Sequence, residues 1–153
     1  MIHIERFTLR DAQFISNHLR PEDWAEIGVI SDDPRREVMA GALGAALCYT
    51  VRRSKYALHP DILYGVTTDQ TMLGAGIVWL VGTPLVHRVA LSFLKAAPGI
   101  LEDLVVGYDF LHNYVDERNT LHLRWLKHLG FTFNSRVVIK GYNFTHAVWR
   151  PGT

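Results

Sequence analysis

The sequence contains a single cysteine, Cys48, and this scarcity excludes an internal disulfide framework. A chain with so few thiols is typical of a reducing compartment, so we expect a cytoplasmic protein. Cys48 lies in the apolar run GALGAALCYTV, where a cysteine behaves as a small hydrophobic side chain. The sequence therefore predicts a buried cysteine and not a nucleophile.

The chain also lacks an excess of either charge and lacks long apolar runs. Its 16 lysines and arginines balance 15 acidic residues, so the formal net charge is +1. Such a protein has no strong field to attract nucleic acid or an anionic membrane, and we expect neither as a partner. No apolar run approaches the roughly 18 residues of a membrane span, and the N-terminus has no apolar signal-peptide core.

Two kinds of site are excluded by missing motifs. The eight histidines are scattered, with no HExxH and no cysteine–histidine group, so we expect no metal site. The segment GAGIVW begins like a dinucleotide fingerprint, but Trp79 stands at the third glycine position and no helix follows at once. The sequence therefore does not predict a dinucleotide site.

The length of 153 residues favours one domain, and its first half shows one strand pattern followed by helical patterns. IHIERFTL alternates like a strand, and RDAQFISNHL has helical spacing with Asp11 as the expected N-cap. RPEDWAEIGVI offers Pro21 as a helix start, followed by acids that suit the positive end of the helix dipole. SDDPRREVMAGALGAALCYTV begins like a capped helix and then becomes apolar and small.

The second half predicts a strand-rich region that encloses two helical stretches. DILYGVTTD and TMLGAGIVWLVGT form two strands around a turn at Asp69, and the second is apolar on both faces, as a covered central strand is. A broken helical region spans about 84–108. Then come a strand (DFLHNYV), a helix (NTLHLRWLKHL) and a hairpin that turns near Gly141. This order predicts an α/β mixed sheet with helices on both faces.

The most patterned stretch is NYVDERNTLHLRWLKHLGF, residues 113–131. Its helix has an apolar stripe through Leu121, Trp125 and Leu129, and Gly130 is well placed as a left-handed C-cap. Asn119 precedes the first helical turn. Two interpretations of this asparagine stay open, a helix cap that contributes about 1 kcal/mol or a ligand of a cofactor.

These residues carry a resemblance to a known family. A strand that ends at Val115, an asparagine four residues later, a one-sided helix and Gly-Phe eleven and twelve residues after Asn119 resemble the GNAT (GCN5-related N-acetyltransferase) superfamily. Over about residues 60–135 the chain is most similar to GNAT-like proteins of short-tailed bacteriophages. The resemblance implies a sheet whose fourth and fifth strands splay apart, with the pantetheine arm of acetyl-CoA, or of a longer acyl-CoA, in the opening.

The same resemblance implies where the cofactor binds. Asn119 contacts it, and backbone amides of the central strand, including Leu80 and Val81, polarise the thioester carbonyl. The family's glycine-rich pyrophosphate loop has no clean copy in this chain. One placement of the loop uses the amides of Gly82 and Thr83, with Arg88 as the phosphate partner. The other placement uses Lys95 as the cation, and Gly99 lets the backbone approach the phosphate closely. A proline removes one amide donor in either placement.

The chemistry implied by the resemblance has one gap. Leu126 stands seven residues after Asn119, where many members of the family have a tyrosine that protonates the departing thiolate, and leucine has no proton to give. For a base, His112 and Tyr114 share one face of the preceding strand by alternation. A histidine suits the removal of an amine proton near neutral pH.

Three functions are weighed against each other. The first is a phage-type acetyltransferase that binds acetyl-CoA and transfers acetyl to an amine of a protein or small molecule in the host cytoplasm. The second is a weak or inactive GNAT-fold binding module, a virion component or a modulator of a host bacterial protein. The third is a plain structural domain, with these residues as core. Monomer and homodimer both stay open.

Overall fold

The computed structural model describes residues 1–152. Its strands are β1 (His3–Arg6), β2 (Leu47–Arg52), β3 (Ile62–Thr68), β4 (Ala75–Gly82), β5 (Phe110–Asp116), β6 (Thr132–Ile139) and β7 (Tyr142–Trp149). Its helices are α1 (Leu9–Asn17), α2 (Pro21–Ile30), α3 (Pro34–Gly44), α4 (Ala90–Lys95), α5 (Ala97–Leu104) and α6 (Thr120–Leu129). A short 3₁₀ turn, Val86–Arg88, precedes α4.

The seven strands form one sheet in the order β1-β2-β3-β4-β5-β7-β6. Neighbouring strands run antiparallel except β4 and β5, which are parallel. The predicted α/β mixed sheet with a C-terminal hairpin is confirmed, and β4 is its middle strand.

Strand β4 separates two apolar cores. Val78 and Leu80 belong to the larger core, together with residues of α4, α5 and α6. Val81 and Trp79 alternate with them and pack in the second core against residues of α1 and α3. Side chains of successive strand residues point to opposite faces, so a strand that is apolar throughout must be covered on both. The prediction of a covered central strand is confirmed.

Two local predictions need correction. The N-cap of α1 is Thr8 and not Asp11, because Thr8 Oγ1 accepts the backbone N–H of Asp11 at 3.1 Å. No strand was predicted in the apolar, small-residue part of the segment that begins like a capped helix, yet α3 ends at Gly44 and β2 begins at Leu47. Close packing of β2 on β3 requires Gly65, where a Cβ atom would lie 2.4 Å from the Leu47 carbonyl oxygen.

The ends of α6 and the last turn have the predicted geometry. Gly130 is the left-handed C-cap of α6, with φ 98°. The hairpin between β6 and β7 turns at Lys140 and Gly141, which have φ 47° and 85°. Two consecutive positive φ values are typical of the tight hairpin turn that matches strand twist. None of the helices within residues 1–152 is long and apolar enough to cross a lipid bilayer.

Candidate functional site

The parallel strands β4 and β5 separate after only three residue pairs. The pairs are Ala75 with Phe110, Gly76 with Leu111 and Ile77 with His112. Beyond them lies a gap, the β4–β5 opening, between residues 78–82 of β4 and 113–116 of β5. A hydrogen bond from Asn113 Nδ2 to the Val78 carbonyl, 2.9 Å long, spans the start of this gap.

The backbone of Leu80 faces the β4–β5 opening. The Val78 carbonyl points toward β5, and so do the peptide groups of Gly82, which bond to α2 rather than to β3. Groups that face the same edge of a strand recur every second residue. Leu80 lies midway between Val78 and Gly82, so its N–H and C=O are directed into the opening.

A cleft of about 410 Å³ adjoins the opening on the side of α2 and α3. Its walls combine three carboxylates with aromatic and aliphatic side chains. The residues that line it include Asp23, Glu26, Glu37, Gly41, Trp79, Leu80, Tyr114, His122 and Phe144. A concave site with an apolar wall and a few convergent polar groups is the usual form of a small-molecule site.

A buried polar network closes the end of the opening. Arg20 Nε donates to Asp23 Oδ2 at 2.8 Å, and Arg20 Nη2 donates to Asn119 Oδ1. The Asn119 Nδ2 group donates to Asp23 Oδ1 at 2.9 Å and to Glu26 Oε1 at 2.7 Å. Asp23 Oδ2 also accepts the backbone N–H of Gly82 at 2.8 Å. The network therefore joins α2, the end of β4 and the start of α6.

Burial dominates the ionisation of Asp23. Loss of solvent raises the pKa of its carboxyl, although the Arg20 guanidinium and the Asn119 hydrogen bond oppose this shift. Among the groups near Asp23, only Arg20 lies within ion-pair distance in the described chain. The network thus depends on that pair to keep a carboxylate inside the protein.

Asn119 occupies the N-cap position of α6, but its side chain caps no backbone amide. The residue is 1% exposed, and its amide oxygen and nitrogen are engaged by Arg20, Asp23 and Glu26. The cap interpretation is therefore wrong for the side chain. The role of Asn119 as a cofactor ligand stays a prediction, and a ligand at this amide would have to compete with three partners.

The turn after β4 uses its amides internally. The N–H of Thr83 donates to the Asp61 carbonyl at 3.0 Å, and the N–H of Val86 donates to the Thr83 carbonyl at 3.0 Å. The N–H of Leu85 donates to Thr83 Oγ1 at 3.2 Å. Arg88 forms an ion pair with Asp61 at 3.1 Å. This turn does not present the row of bare amides that would hold a pyrophosphate.

The two predicted phosphate placements lie at different ends of α4. Gly82, Thr83 and Arg88 come before the helix; Gly82 ends β4 beside the β4–β5 opening, and Arg88 pairs with Asp61, the residue before β3. Lys95 is the last residue of α4 and lines a separate surface depression with Met1 and Ser92. The structure therefore brings Gly82 of the first placement to the opening and leaves Lys95 in a separate depression. Both assignments stay predictions.

His112 and Tyr114 lie on the same face of β5, as predicted, with their rings 6.3 Å apart. His112 Nε2 hydrogen-bonds Asp69 Oδ2 at 2.7 Å, and His112 Nδ1 hydrogen-bonds His146 Nε2 at 2.9 Å. Tyr114 lines the cleft and stacks on His146, with ring centroids 4.3 Å apart. His112 is buried behind this stack, so a catalytic role for it would have to act through His146 or Tyr114.

The carboxylate of Asp69 anchors this row of side chains. Hydrogen bonds from the side chain and backbone of Thr71, together with the one from His112, hold the pKa of Asp69 at about 2. Burial and the positive fields of His112 and Arg150 lower the pKa of His146. Because an ionised Asp69 accepts only, its contact with His112 fixes a proton on His112 Nε2.

Sequence reasoning missed four residues of the site: Arg20, Asp23, Glu26 and His122. The acids of α2 were interpreted only as partners of the helix dipole. His122 could have been found, because it precedes Trp125, Leu126 and Leu129 by three, four and seven residues, which places it on the buried stripe of α6. Among residues 1–152, no cluster of metal-binding side chains large enough to hold an ion is found.

Comparison with known proteins identifies the fold. No protein-family model matches the chain, and no curated protein matches it. A solved structure from Desulfovibrio desulfuricans, assigned to the GNAT family of acetyltransferases, superposes with a TM-score of 0.68 at 10% identity, over 98% of this chain and 99% of that one. The ribosomal-protein-S18-alanine N-acetyltransferase from Escherichia coli gives 0.68 at 13% identity, over 100% and 96%.

A third solved structure contains coenzyme A. The aminoglycoside acetyltransferase AAC(6')-Ib in complex with coenzyme A superposes with a TM-score of 0.67 at 12% identity, over 99% of this chain and 95% of that one. With the parallel pair β4–β5 and the C-terminal hairpin, these likenesses show that the chain has the GNAT fold.

Proposed function

We propose that this protein binds an acyl-CoA, in the first instance acetyl-CoA, and transfers the acyl group to an amine. The observation that carries the proposal is the early separation of β4 from β5, which directs the Leu80 backbone into an opening beside a cleft of about 410 Å³. Structures of the same fold that contain coenzyme A support the choice of cofactor.

The residues fit the reacting end of such a cofactor better than its phosphate end. The Leu80 N–H can donate to a carbonyl oxygen, and Val81 contributes an apolar wall of the cleft. At the other end the amides of the turn after β4 are already bonded, so the side chain of Arg88 would have to supply the contact with phosphate. We therefore expect weaker binding than a site with an amide cradle would give.

The chain's own groups suit acyl transfer. A bound thioester supplies an activated acyl carbon. The Leu80 N–H stabilises negative charge that develops on the acyl oxygen, as a donor in an oxyanion site does. The carboxylates of Glu26 and Glu37 attract an ammonium group, and the rings of Trp79 and Tyr114 form walls against which its carbon stem packs.

Calorimetric titration with acetyl-CoA and with coenzyme A tests the binding step. A ligand specific for the native state raises the melting temperature, and at 100 times its Kd it stabilises by about 2.7 kcal/mol. The acceptor side is tested with Gly41→Leu, which projects a side chain into the cleft near Trp79, against Gly28→Leu, which has open space around it. Gly41→Leu should lower amine transfer and leave acetyl-CoA binding intact. Absence of heat and of a thermal shift at millimolar acetyl-CoA would remove the proposal.

A second candidate is a GNAT-fold binding module without catalysis. The observation in its favour is that Asn119 and the turn after β4 have their polar groups satisfied within the chain. For this candidate, we expect coenzyme A to bind weakly or not at all and no amine to be acylated. Thiol release from acetyl-CoA with polyamines, peptides and host lysate as acceptors separates the two candidates.

The phage-type origin and the host-cytoplasm location are part of the proposal. They are supported by the resemblance of residues 60–135, given above. Mass spectrometry of purified virions and of infected-cell cytoplasm distinguishes a virion component from a soluble enzyme. A protein found only in the virion would favour the binding module over the enzyme.

A further inference from the structure

The imidazole of His122 lies at the wall of the cleft with both nitrogens unpaired. The residue is 3% exposed, and neither Nδ1 nor Nε2 has a hydrogen-bond partner within residues 1–152. Buried polar side-chain atoms are nearly always hydrogen-bonded, because leaving one unpaired opposes folding. An unpaired, buried ring at the wall of a cleft therefore calls for an explanation, and contact with a ligand is one.

Glu26 lies beside this imidazole without satisfying it. The distance from Glu26 Oε1 to His122 Nδ1 is 3.7 Å, which permits charge attraction and exceeds a hydrogen bond. The same oxygen already accepts the Asn119 amide at 2.7 Å. Glu26 is thus placed to attract an imidazolium when one forms, and neither ring nitrogen is engaged in a hydrogen bond, although both are shielded from solvent in the free protein.

Charged and titratable groups from several elements lie near the cleft that His122 lines. The helix α2 and its cap residue contribute one cation and two acids, and α3 contributes one acid. Strand β5 contributes a phenol. The residue before Asn119 contributes a cation that acts on Glu26. These groups are Arg20, Asp23, Glu26, Glu37, Tyr114 and Arg118.

The other histidines near the sheet are placed differently. His112 has a partner on each nitrogen, Asp69 and His146, and does not line the cleft. His128 lies on the exposed side of α6, where its Nδ1 hydrogen-bonds the Arg124 carbonyl at 3.0 Å. In the described part of the chain, His122 is the one imidazole among the residues that line the cleft.

We propose that His122 is the catalytic residue that moves the proton during acyl transfer, an inference that rests on the proposed function. One ring nitrogen accepts the proton that the amine loses as its nitrogen bonds to the acyl carbon. As the bond between that carbon and sulfur breaks, the imidazolium returns the proton to the departing sulfur. The products are an amide and a free thiol, and no other reactant is required. A ring with two unpaired nitrogens can serve both partners.

The test compares His122→Gln and His122→Leu with His128→Gln on the exposed side of the same helix. The assay uses acetyl-CoA and whichever of spermidine and a lysine peptide gives the higher wild-type rate. General acid–base groups typically contribute roughly 10²–10⁴-fold, so both His122 variants should lose about 100-fold or more in kcat at pH 7. The loss of kcat in the two His122 variants should become smaller toward pH 10, because the amine is increasingly unprotonated there. His128→Gln should keep the wild-type rate and pH profile.

Three further measurements do not depend on turnover. Because both nitrogens are unpaired in the free protein, His122→Leu should melt at the same temperature as the wild type or higher, whereas a structural histidine would lower it. Nuclear magnetic resonance of the ¹⁵N-labelled imidazoles should show the His122 ring signals, and not those of His128, shifting when acetyl-CoA is added. Calorimetry should find acetyl-CoA affinity within about threefold of the wild type in both His122 variants, since a proton carrier acts mainly on the chemical step.

The outcomes separate this inference from the proposed function. Failure of the wild type to bind acetyl-CoA or to acylate any amine overturns both. Turnover by the wild type with equal rates in His122→Gln and His122→Leu overturns the role of His122 alone. A lower melting temperature of His122→Leu, with a rate loss that is the same at every pH, makes His122 structural and overturns it as well.

Discussion

Asp23 accepts the backbone N–H of Gly82 through Oδ2 at 2.8 Å, so a side chain from α2 takes the place that β5 would occupy at the end of β4. The adjacent backbone N–H of Arg20 donates to the Gly82 carbonyl at 2.9 Å. Both polar groups of the last β4 residue are therefore satisfied although its neighbour strand has diverged. This contact lets the β4–β5 opening exist without an unpaired strand end inside the protein.

Asn119→Ser should destabilise the protein by about 2 kcal/mol, because it removes the amide from buried partners and leaves Arg20 and Asp23 short of hydrogen bonds. A serine that merely replaced a cap would cost only a few tenths of a kcal/mol. Urea denaturation measures the difference, with Asn17→Ser at the exposed end of α1 as the matched control. Equal stability of the two variants would contradict the network's importance.

Asp69→Asn should make the free energy of unfolding depend less on pH under acidic conditions. The pKa of Asp69 is lowered to about 2 by the Thr71 and His112 hydrogen bonds, below its unfolded value of roughly 3.9. A depressed folded pKa gives stability that is present above the unfolded pKa and is lost as pH falls through the folded one. The wild type should therefore lose stability between about pH 4 and 2 more steeply than the variant. Thermal melts across this range are the measurement, and the exposed Asp32→Asn should follow the wild type.

Lys140→Asn should stabilise the β6–β7 hairpin by about 0.5 kcal/mol, since Lys140 has φ 47° and asparagine tolerates this region better than lysine. Gly141→Ala, at φ 85°, should cost about 1 kcal/mol in the same turn. Chemical denaturation of the two variants gives changes of opposite sign if the turn has this conformation. Destabilisation by both would show that Lys140 makes contacts that outweigh its backbone preference.

Local patterns predicted most of the fold because apolar periodicity is encoded within each element. The stripe of α6, the covered strand β4 and the hairpin at Gly141 each follow from residues a few positions apart. Strand β2 was not predicted because small residues fit helix and strand equally. Its pairing with β3 depends on Gly65, which lies far along the chain. Tertiary contacts decide such segments.

The site was harder to predict for the same reason. Asn119 and His112 could be singled out from their own segments, but the partners of Asn119 lie 93 to 99 residues away on α2 and its cap. The acids at the start of α2 look like ordinary dipole partners until the fold places them beside α6. The burial of His122 follows from its place on the α6 stripe, but its two unpaired nitrogens are seen only in the folded chain.

The last prediction concerns the buried pair of Arg20 and Asp23. Arg20→Met should destabilise by about 3–5 kcal/mol at neutral pH, because it leaves a buried carboxylate without its cation. Arg20→Met combined with Asp23→Asn should cost less than the single change, since no uncompensated charge remains and the asparagine oxygen can still accept the Gly82 N–H.

The loss in Arg20→Met should also depend on pH. Burial already raises the pKa of Asp23, and removal of the guanidinium raises it further. A carboxyl whose folded pKa lies above its unfolded value binds more protons when folded, so stability increases as pH falls from the folded pKa toward roughly 3.9. Urea denaturation of Arg20→Met should thus show that part of the lost stability is recovered at mildly acidic pH. The double variant and the exposed control Arg10→Met should show no such recovery. A deficit in Arg20→Met that is constant with pH would mean that the lost packing of the arginine side chain, and not the orphaned charge of Asp23, causes the destabilisation.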